Sequence, residues 1–294
     1  MKDRLLILGG DGFIGKHVAE EALARGLAVT VFDQCRHFLR SDVAAFLGDI
    51  RDSVSVCNAV MLADYAINLA AILGTQETIR TAGHCVQTNI VGTLNFLKAC
   101  VPTNFHQVQG VQIGIGNYWM DSPYPITKRA ALAFTRMFNK ELGTKVAMVR
   151  AMHAYGEYQK TEPVRKIVPT FIYHALRGEP LPVYGDGEQV VDMIYVGDLA
   201  KVLLDACTSP TVEYDHVYEA GLGRHLTVNE VAREIIDAVG SSSEVVHLPM
   251  RPGEEENAVI SARPETLEGL GEYQFVRFED GIRQVVDWYR RNYA

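Results

Sequence analysis

The chain has 294 residues, of which 48% are hydrophobic and 22% charged, and its formal net charge is −8. This length allows one large domain or two, and the apolar content is enough for a substantial core. The acidic balance and the lack of a Lys/Arg run argue against nucleic acid as the main partner. The five cysteines form no C-x-x-C pair and have no metal-like spacing, so neither a disulfide framework nor a metal site is expected.

The sequence shows no feature of a secreted or membrane-spanning chain. The first predicted strand begins almost at once, and no apolar run reaches the length of a membrane span. Scattered single cysteines are typical of a reducing compartment. We therefore expect a soluble, cytoplasmic protein with neither a nucleic-acid nor a membrane partner.

A short apolar strand and a glycine cluster open the chain. Residues 5–8 are all apolar, and apolar residues recur at helical spacing from 13 to 23. The glycines fit either G-x-G-x-x-G or G-x-x-G-x-x-G, with the positions Gly9, Gly10, Gly12 and Gly15. Either pattern predicts a strand, a tight turn and a helix whose free N–H groups face a pyrophosphate.

An acidic residue stands where a dinucleotide site needs one. A second apolar run over 28–32 ends in Asp33, about 20 residues after the glycines, where a carboxylate accepts hydrogen bonds from ribose hydroxyls. An acid at this position favours NAD over NADP. The sequence therefore predicts an NAD site.

Strands and helices continue to alternate after Asp33. Strands are predicted over 44–49, 64–71 and 108–115, and an amphipathic helix over 88–100. Asp52 or Ser53 is the predicted cap of a further helix. This alternation predicts a doubly wound parallel sheet.

The helix that follows the strand over 108–115 carries the chain's Tyr-x-x-x-Lys pair. Ser122 is the predicted N-cap rather than a nucleophile, and Pro123 suits the first helical position. Tyr124 and Lys128 lie on one helical face because they are four residues apart. The ammonium is expected to favour the ionised phenol, which makes Tyr124 a general base towards a substrate hydroxyl.

Taken in order, these motifs resemble the extended short-chain dehydrogenase/reductases, in particular the NAD-dependent nucleotide-sugar epimerase/dehydratase family. The resemblance spans essentially the whole chain. The segments that carry it are the glycine turn, Asp33, 48–50, 68–71, Asn89, the Tyr124/Lys128 pair, 150–156, 183–189, 192–198 and 251–254.

The resemblance implies a fold and its boundaries. The expected fold is α/β, a doubly wound parallel (Rossmann) sheet with a smaller C-terminal α/β substrate lobe. Residues 1–160, to which 190–210 returns, would form the dinucleotide-binding domain, and 161–189 and 211–294 mainly the substrate lobe. Within that lobe, helices are predicted over 166–178 and 227–239, the second capped by Thr227. Relatives pair the helices at 88–101 and 124–142 with their copies in a second subunit, so a homodimer is expected.

The resemblance also implies the cofactor site. The glycine turn would hold the pyrophosphate of NAD, Asp33 the adenosine ribose and Asp49 and Ile50 the adenine. Tyr124 and Lys128 would be catalytic, and the lysine would also hold the nicotinamide ribose. The implied cofactor contacts are Gly9, Gly12, Phe13, Ile14, Gly15, Asp33, Gln34, Asp49, Ile50, Leu69, Ala70, Ala71, Asn89, Tyr124 and Lys128.

The implied activity is epimerisation of a nucleotide-diphospho-sugar, at C4, through a transient keto-sugar. Two alternatives remain open: a dehydratase, decarboxylase or reductase of the same family, and a non-catalytic sensor of NAD(P). The acid pair that dehydratases carry after the fifth strand is absent, which counts against a 4,6-dehydratase.

Four positions depart from the family pattern. No Ser or Thr follows the fifth strand around Gly114, and Asn117 or Tyr118 would substitute for it. Leu8 replaces a Thr before the glycines, and Val191 replaces an Arg that grips the diphosphate, which leaves Arg251 for that role.

His153 is the remaining departure, since it stands in place of an Asn that contacts the substrate. It would bind the sugar or, alternatively, be a loop histidine with satisfied hydrogen bonds. The expected substrate-binding residues are Asn117, His153 and Arg251.

Overall fold

The computed structural model describes residues 2–35 and 40–293. The strands are β1 (Arg4–Leu8), β2 (Ala28–Asp33), β3 (Val43–Leu47), β4 (Tyr65–Asn68), β5 (Gln109–Ile115), β6 (Lys145–Ala151), β7 (His153–Tyr155), β8 (Leu181–Tyr184), β9 (Val190–Val191), β10 (Met193–Tyr195), β11 (Val217–Ala220), β12 (Leu226–Thr227) and β13 (Val245–Leu248). The helices are α1 (Phe13–Ala24), α2 (Ser53–Val60), α3 (Ala82–Cys85), α4 (Gly92–Ala99), α5 (Pro123–Leu142), α6 (Ile167–Leu176), α7 (Val196–Thr208), α8 (Val228–Val239) and α9 (Phe278–Tyr293). A π-helical turn over Val86–Val91 joins α3 to α4, and 3₁₀ turns cover Ile79–Thr81 and Pro264–Leu267.

A seven-stranded parallel sheet with the order β11-β6-β5-β4-β1-β2-β3 forms the centre of the fold. The strands at its middle are apolar on both faces because helices cover both, and Leu5 to Leu8 of β1 are all buried. The chain reverses its direction across the sheet between β1 and β4, which opens a crevice at the carboxyl ends of these strands. The predicted doubly wound fold is confirmed.

A second hydrophobic core lies in the C-terminal lobe, where α6, α8 and α9 pack around Tyr155, Ile235 and Phe278. The predicted helices there are confirmed as α6 and α8. Thr227 caps α8 through a capping box with Glu230, which satisfies two of the backbone N–H groups at the start of the helix.

The chain does not divide into lobe and sheet at one point. β11, which lies within 211–294, pairs with β6 and completes the edge of the main sheet. The division into the two predicted domains therefore stays a prediction. No helix of residues 2–35 and 40–293 is both long and apolar enough to traverse a bilayer.

Candidate functional site

A cavity of about 740 Å³ lies at the carboxyl ends of the central strands, between the sheet and the lobe. Most of the residues expected to bind cofactor or substrate line it. These are Gly9, Gly12, Phe13, Ile14, Gly15, Asp33, Gln34, Ile50, Leu69, Ala70, Ala71, Asn117, Tyr124, Lys128, His153 and Arg251. One concave site therefore collects residues that are far apart in the sequence.

The glycine turn leaves no room for side chains on its inner side. Gly9 has φ +76°, and a Cβ there would lie 2.7 Å from the backbone nitrogen of Ala70. A Cβ at Gly15 would lie 2.5 Å from the Cα of Gly10. α1 begins at Phe13 directly after Gly12, so its first N–H groups open onto a side-chain-free backbone. This cradle fits a pyrophosphate.

The carboxylate of Asp33 is fixed at the end of β2. It accepts hydrogen bonds from the backbone N–H groups of Asp11 at 3.1 Å and Gln34 at 2.8 Å. The side-chain amide of Gln34 donates a hydrogen bond to the Asp49 carboxylate at 2.9 Å. Arg51 donates hydrogen bonds to Asp49, and these bonds lower the pKa of the Asp49 carboxyl. Asp49 does not lie on the cavity wall. Its contact with adenine stays a prediction.

Asn89 also lies behind the wall rather than on it. Its amide oxygen accepts from the backbone N–H of Ile72 at 2.8 Å, and its nitrogen donates to the Ile72 carbonyl at 3.0 Å and to Thr127 Oγ1 at 3.0 Å. Ile72 lines the cavity, whereas Asn89 is only 2% exposed and belongs to the π-helical turn. Asn89 therefore ties the wall to α5, and its direct contact with the cofactor stays a prediction.

Tyr124 and Lys128 lie together on the cavity wall, and Lys128 is only 3% exposed. Burial raises the pKa of the Tyr124 phenol and lowers the pKa of the Lys128 ammonium to about 8. The expectation that the ammonium lowers the phenol pKa is therefore wrong for the protein on its own. Desolvation is the largest cause of both shifts, because burial disfavours the charged form of each group.

Ser122 is the N-cap residue of α5, as predicted, but its side chain makes no capping hydrogen bond. Its hydroxyl is buried without a hydrogen-bond partner among the described residues. A capping side chain accepts from the second or third helical N–H. Those positions are Tyr124 and Pro125, and the proline has no N–H to donate.

Two glycines of the wall after β5 are closely packed, so a side chain at either position would require a neighbouring side chain to move. A Cβ at Gly114 would lie 2.7 Å from Leu132 Cδ1, and one at Gly116 would lie 2.7 Å from Met152 Sδ. Asn117 lines the cavity and donates to the sulfur of Met120 at 3.4 Å.

Tyr118 does not supply the hydroxyl that is missing after β5. The guanidinium carbon Cζ of Arg150 lies 3.8 Å from the centroid of the Tyr118 ring. Tyr118 is not part of the cavity wall. Tyr118 therefore lies outside the wall, and Asn117 remains the candidate for that role.

His153 is held rigidly by its backbone. It belongs to β7, pairs with Met193 of β10, and its N–H donates to the Asp192 carbonyl at 2.9 Å. Its Nδ1 is buried and has no hydrogen-bond partner in the described part of the chain, so the alternative of a satisfied loop histidine is wrong. Burial, together with the nearby Lys166, lowers the pKa of His153 to about 4. The imidazole is therefore neutral at physiological pH, with one nitrogen to donate and one to accept.

Arg251 is engaged by acidic partners at the cavity wall. Its guanidinium pairs with Glu77 at 2.7 Å and with Glu254 at 3.5 Å, and it donates to Gln76 at 3.0 Å. Burial raises the pKa of Glu254. A phosphate bound by Arg251 has to displace or share these carboxylates.

The wall contains polar residues that were not predicted from the sequence, among them Lys166, Gln159 and Gln189. Lys166 lies beside Arg251, and burial lowers the pKa of its ammonium. Gln159 and Gln189 each keep a buried amide oxygen without a hydrogen-bond partner among residues 2–35 and 40–293. Gln189 lies in the matched segment 183–189, which was the one available signal for it.

Comparisons with known proteins identify relatives along nearly the whole chain. The sequence model described as the NAD dependent epimerase/dehydratase family matches residues 5–221. UDP-N-acetyl-alpha-D-glucosaminuronate decarboxylase of Bacillus cytotoxicus is 30% identical, covering 99% of this chain and 98% of the relative. dTDP-glucose 4,6-dehydratase of Xanthomonas campestris pv. campestris is 29% identical, covering 98% and 93%. The crystal structure of Thermus thermophilus UDP-glucose 4-epimerase with NAD has a TM-score of 0.88 at 29% identity, covering 98% and 99% of the two chains.

Proposed function

Because the chain belongs to the NAD-dependent epimerase/dehydratase family, we propose that it is a nucleotide-sugar epimerase that inverts C4 through a transient keto-sugar. NAD, bound over the glycine turn, supplies the hydride acceptor. The observation that carries the proposal is the buried Tyr124/Lys128 pair, which lies on the same cavity wall as the side-chain-free turn. A sensor of NAD would need neither side chain.

Tyr124 removes the proton from the reacting sugar hydroxyl. Burial keeps the phenol protonated in the ligand-free protein, so Tyr124 has to lose its own proton to solvent before it can act as a base, and a nearby positive charge favours that loss. Lys128 supplies one such charge from the same face of α5. His153, which is neutral, and Asn117 are placed to hydrogen-bond the sugar.

The wall after β5 favours epimerisation over elimination. A dehydratase needs acid and base groups there, and the wall residues 113–117 carry no carboxylate. Decarboxylation is the second candidate, because the Bacillus cytotoxicus relative is a decarboxylase and this reaction does not need the eliminating acids.

The test uses purified protein with UDP- and dTDP-hexoses and UDP-uronates, followed by NMR of the products. The proposal expects a C4-inverted sugar with no net release of NADH. Formation of a 4-keto-6-deoxy sugar, or of carbon dioxide from a uronate, would replace it with a dehydratase or a decarboxylase.

A variant pair tests the role of Tyr124. Tyr124→Phe is expected to lower kcat at least about 100-fold while the content of bound NAD stays unchanged. Tyr118→Phe, at a tyrosine outside the wall, is the matched control and should retain turnover. Full turnover by Tyr124→Phe would remove the general base from the proposal.

We also propose that the chain forms a homodimer through the helices at 82–99 and 123–142. Two apolar stripes with helical spacing lie partly exposed there: Val86, Ile90 and Leu94, and Ile126, Ala130, Ala133 and Met137. Ile126 is 42% exposed and Met137 is 41% exposed, and the two lie about three turns apart on one face of α5. An exposed apolar face of this kind marks a protein–protein contact. Sedimentation equilibrium at micromolar concentration should show a dimer, and Met137→Glu should give a monomer. Phe105→Glu, at an exposed loop position, is the control, and a monomeric wild type contradicts the proposal.

A further inference from the structure

The first turn of α5, which carries Tyr124, is not fixed by a side-chain cap. Ser122 stands at the N-cap position but makes no hydrogen bond to the N–H groups of the turn. The first N–H groups of a helix have no partner within the helix, so a turn without a cap depends on other contacts for its position. The support of Tyr124 therefore has to come from elsewhere in the protein.

Thr127, which lies between Tyr124 and Lys128 in the sequence, binds the backbone of this turn. Its Oγ1 lies 2.8 Å from the Pro123 carbonyl oxygen and 2.9 Å from the Tyr124 carbonyl oxygen. Both carbonyls only accept, so the hydroxyl proton of Thr127 is directed at them. Thr127 is 1% exposed and does not line the cavity, so it touches neither cofactor nor substrate there.

The same oxygen is bound from the other side by the segment that precedes α4. Asn89 Nδ2 donates to Thr127 Oγ1 at 3.0 Å, and Cys85 Sγ lies 3.3 Å from it. Since the proton of Thr127 is directed at the carbonyls, the thiol has to be the donor. Burial raises the pKa of the Cys85 thiol, which keeps that proton on the sulfur. The hydroxyl therefore uses its donor and both of its lone pairs.

These hydrogen bonds connect α5 to the cavity wall. The side chain of Asn89 also binds both backbone polar groups of Ile72, which lines the cavity. A rotation of α5 that moves Tyr124 away from the wall would break the bonds at Thr127 and leave buried donors unpaired. The hydroxyl of Thr127 thus opposes this rotation.

We propose that Thr127 is a positioning residue for the Tyr124/Lys128 pair: its hydroxyl fixes the rotation of α5 against the wall, so that the phenol and the ammonium face the cavity together. This role rests on the proposed function, in which the pair is catalytic.

The test compares Thr127→Val, which keeps the shape but not the hydroxyl, with Thr127→Ser, which keeps the hydroxyl. Thr127→Val should lower kcat about tenfold and leave KM and NAD content unchanged, because the bonded pair is displaced but the binding residues are not. Thr127→Ser should retain about half of the wild-type kcat or more.

Thr135→Val is the matched control on the same helix. Thr135 is also buried, and its hydroxyl donates to the carbonyl four residues earlier, that of Ala131, at 2.9 Å. In the described part of the chain this hydroxyl has no hydrogen bond to another element. Thr135→Val should therefore keep the wild-type kcat, whatever its effect on stability.

The pH profile separates positioning from a general loss of stability. In Thr127→Val the acid limb of kcat should move up by about 0.5 pH unit or more, because a displaced phenol is less stabilised by the Lys128 ammonium. Cys85→Ala should lower kcat about threefold in the wild type and cause no further loss in Thr127→Val. The inference is overturned if Thr127→Val keeps the wild-type kcat and acid limb, if Thr135→Val shows the same losses, or if Thr127→Ser is as impaired as Thr127→Val.

Failure of the proposed function gives a different result. If no nucleotide sugar is converted, the same variants are compared by NMR of protein labelled with carbon-13 tyrosine, with Tyr124→Phe to assign the Tyr124 ring signal. A displaced Tyr124 signal in Thr127→Val, but not in Thr127→Ser or Thr135→Val, supports the positioning role and overturns the epimerase alone. A Tyr124 signal that is the same in all four proteins overturns the positioning role as well.

Discussion

Replacement of Lys128 by methionine is expected to make the ligand-free protein more stable. The side chain is 3% exposed, and burial lowers its pKa from 10.5 to about 8. A shift of this size means that desolvation of the ammonium lowers the free energy of unfolding by about 3 kcal/mol. Methionine fills a similar volume without a charge, so Lys128→Met should raise the free energy of unfolding by about 3 kcal/mol near neutral pH.

The pH dependence of this difference follows from the direction of the shift. Between pH 8 and 10.5 the unfolded chain holds a proton on Lys128 that the folded chain has lost, so the stability of the wild type rises with pH in this window. The advantage of Lys128→Met should therefore fall from about 3 kcal/mol at about pH 6.5 to less than half of that near pH 9.5.

The assay is urea unfolding of nucleotide-free wild type and variant at both pH values, with equal m-values as the check on two-state behaviour. Lys140→Met is the control, since the Lys140 side chain is 80% exposed and its loss should change stability by less than about 0.5 kcal/mol. A Lys128→Met protein that is less stable than wild type, or an advantage independent of pH, would refute the reasoning.

Three further substitutions test other parts of the structure. Gly9→Ala should lower both the NAD content and the Tm, because its Cβ would lie 2.7 Å from the Ala70 nitrogen. Gly26 also has a positive φ, but a Cβ there would meet nothing within 4 Å. As the control, Gly26→Ala should lower the free energy of unfolding by only about 1 kcal/mol and leave NAD bound. Asp33→Ala should weaken NAD binding about tenfold or more in a fluorescence titration, and unchanged affinity would remove the ribose contact. Asp192→Ala should destabilise the protein by about 3 kcal/mol or more in urea unfolding, because this buried carboxylate accepts hydrogen bonds from three backbone N–H groups at 2.9–3.0 Å. A loss of stability below about 1 kcal/mol would contradict this expectation.

The sequence was sufficient to predict the parallel sheet and its nucleotide crevice. Buried strands such as β1 are uninterrupted apolar runs, and the glycine turn has a spacing dictated by backbone contacts that only glycine permits. These signals are local, so they can be read from a short window. The membership of β11 in the same sheet is not local, because four residues far along the chain pair with β6 by tertiary packing.

The chemistry of the site was less predictable than its location. The spacing of Tyr124 and Lys128 gives their common face, but the direction of their pKa shifts depends on burial, which no spacing records. Asn89 illustrates the same limit, since its position behind the wall follows from contacts with Ile72 and Thr127 that lie on other elements. The free oxygen of Gln189 likewise exists only because the Tyr184 carbonyl takes the amide nitrogen.

The composition of the lobe core has a consequence for synthesis of the chain on the ribosome. The ring of Tyr155, from the middle of the sequence, packs against Phe278 of α9 with a centroid distance of 4.9 Å. A nascent chain therefore exposes β1 to β5 and the glycine turn long before the last helix emerges, and the N-terminal half can begin to fold first. The lobe closes only after α9 has been translated, so a chain cut off before residue 278 leaves the partners of that helix uncovered and prone to aggregate.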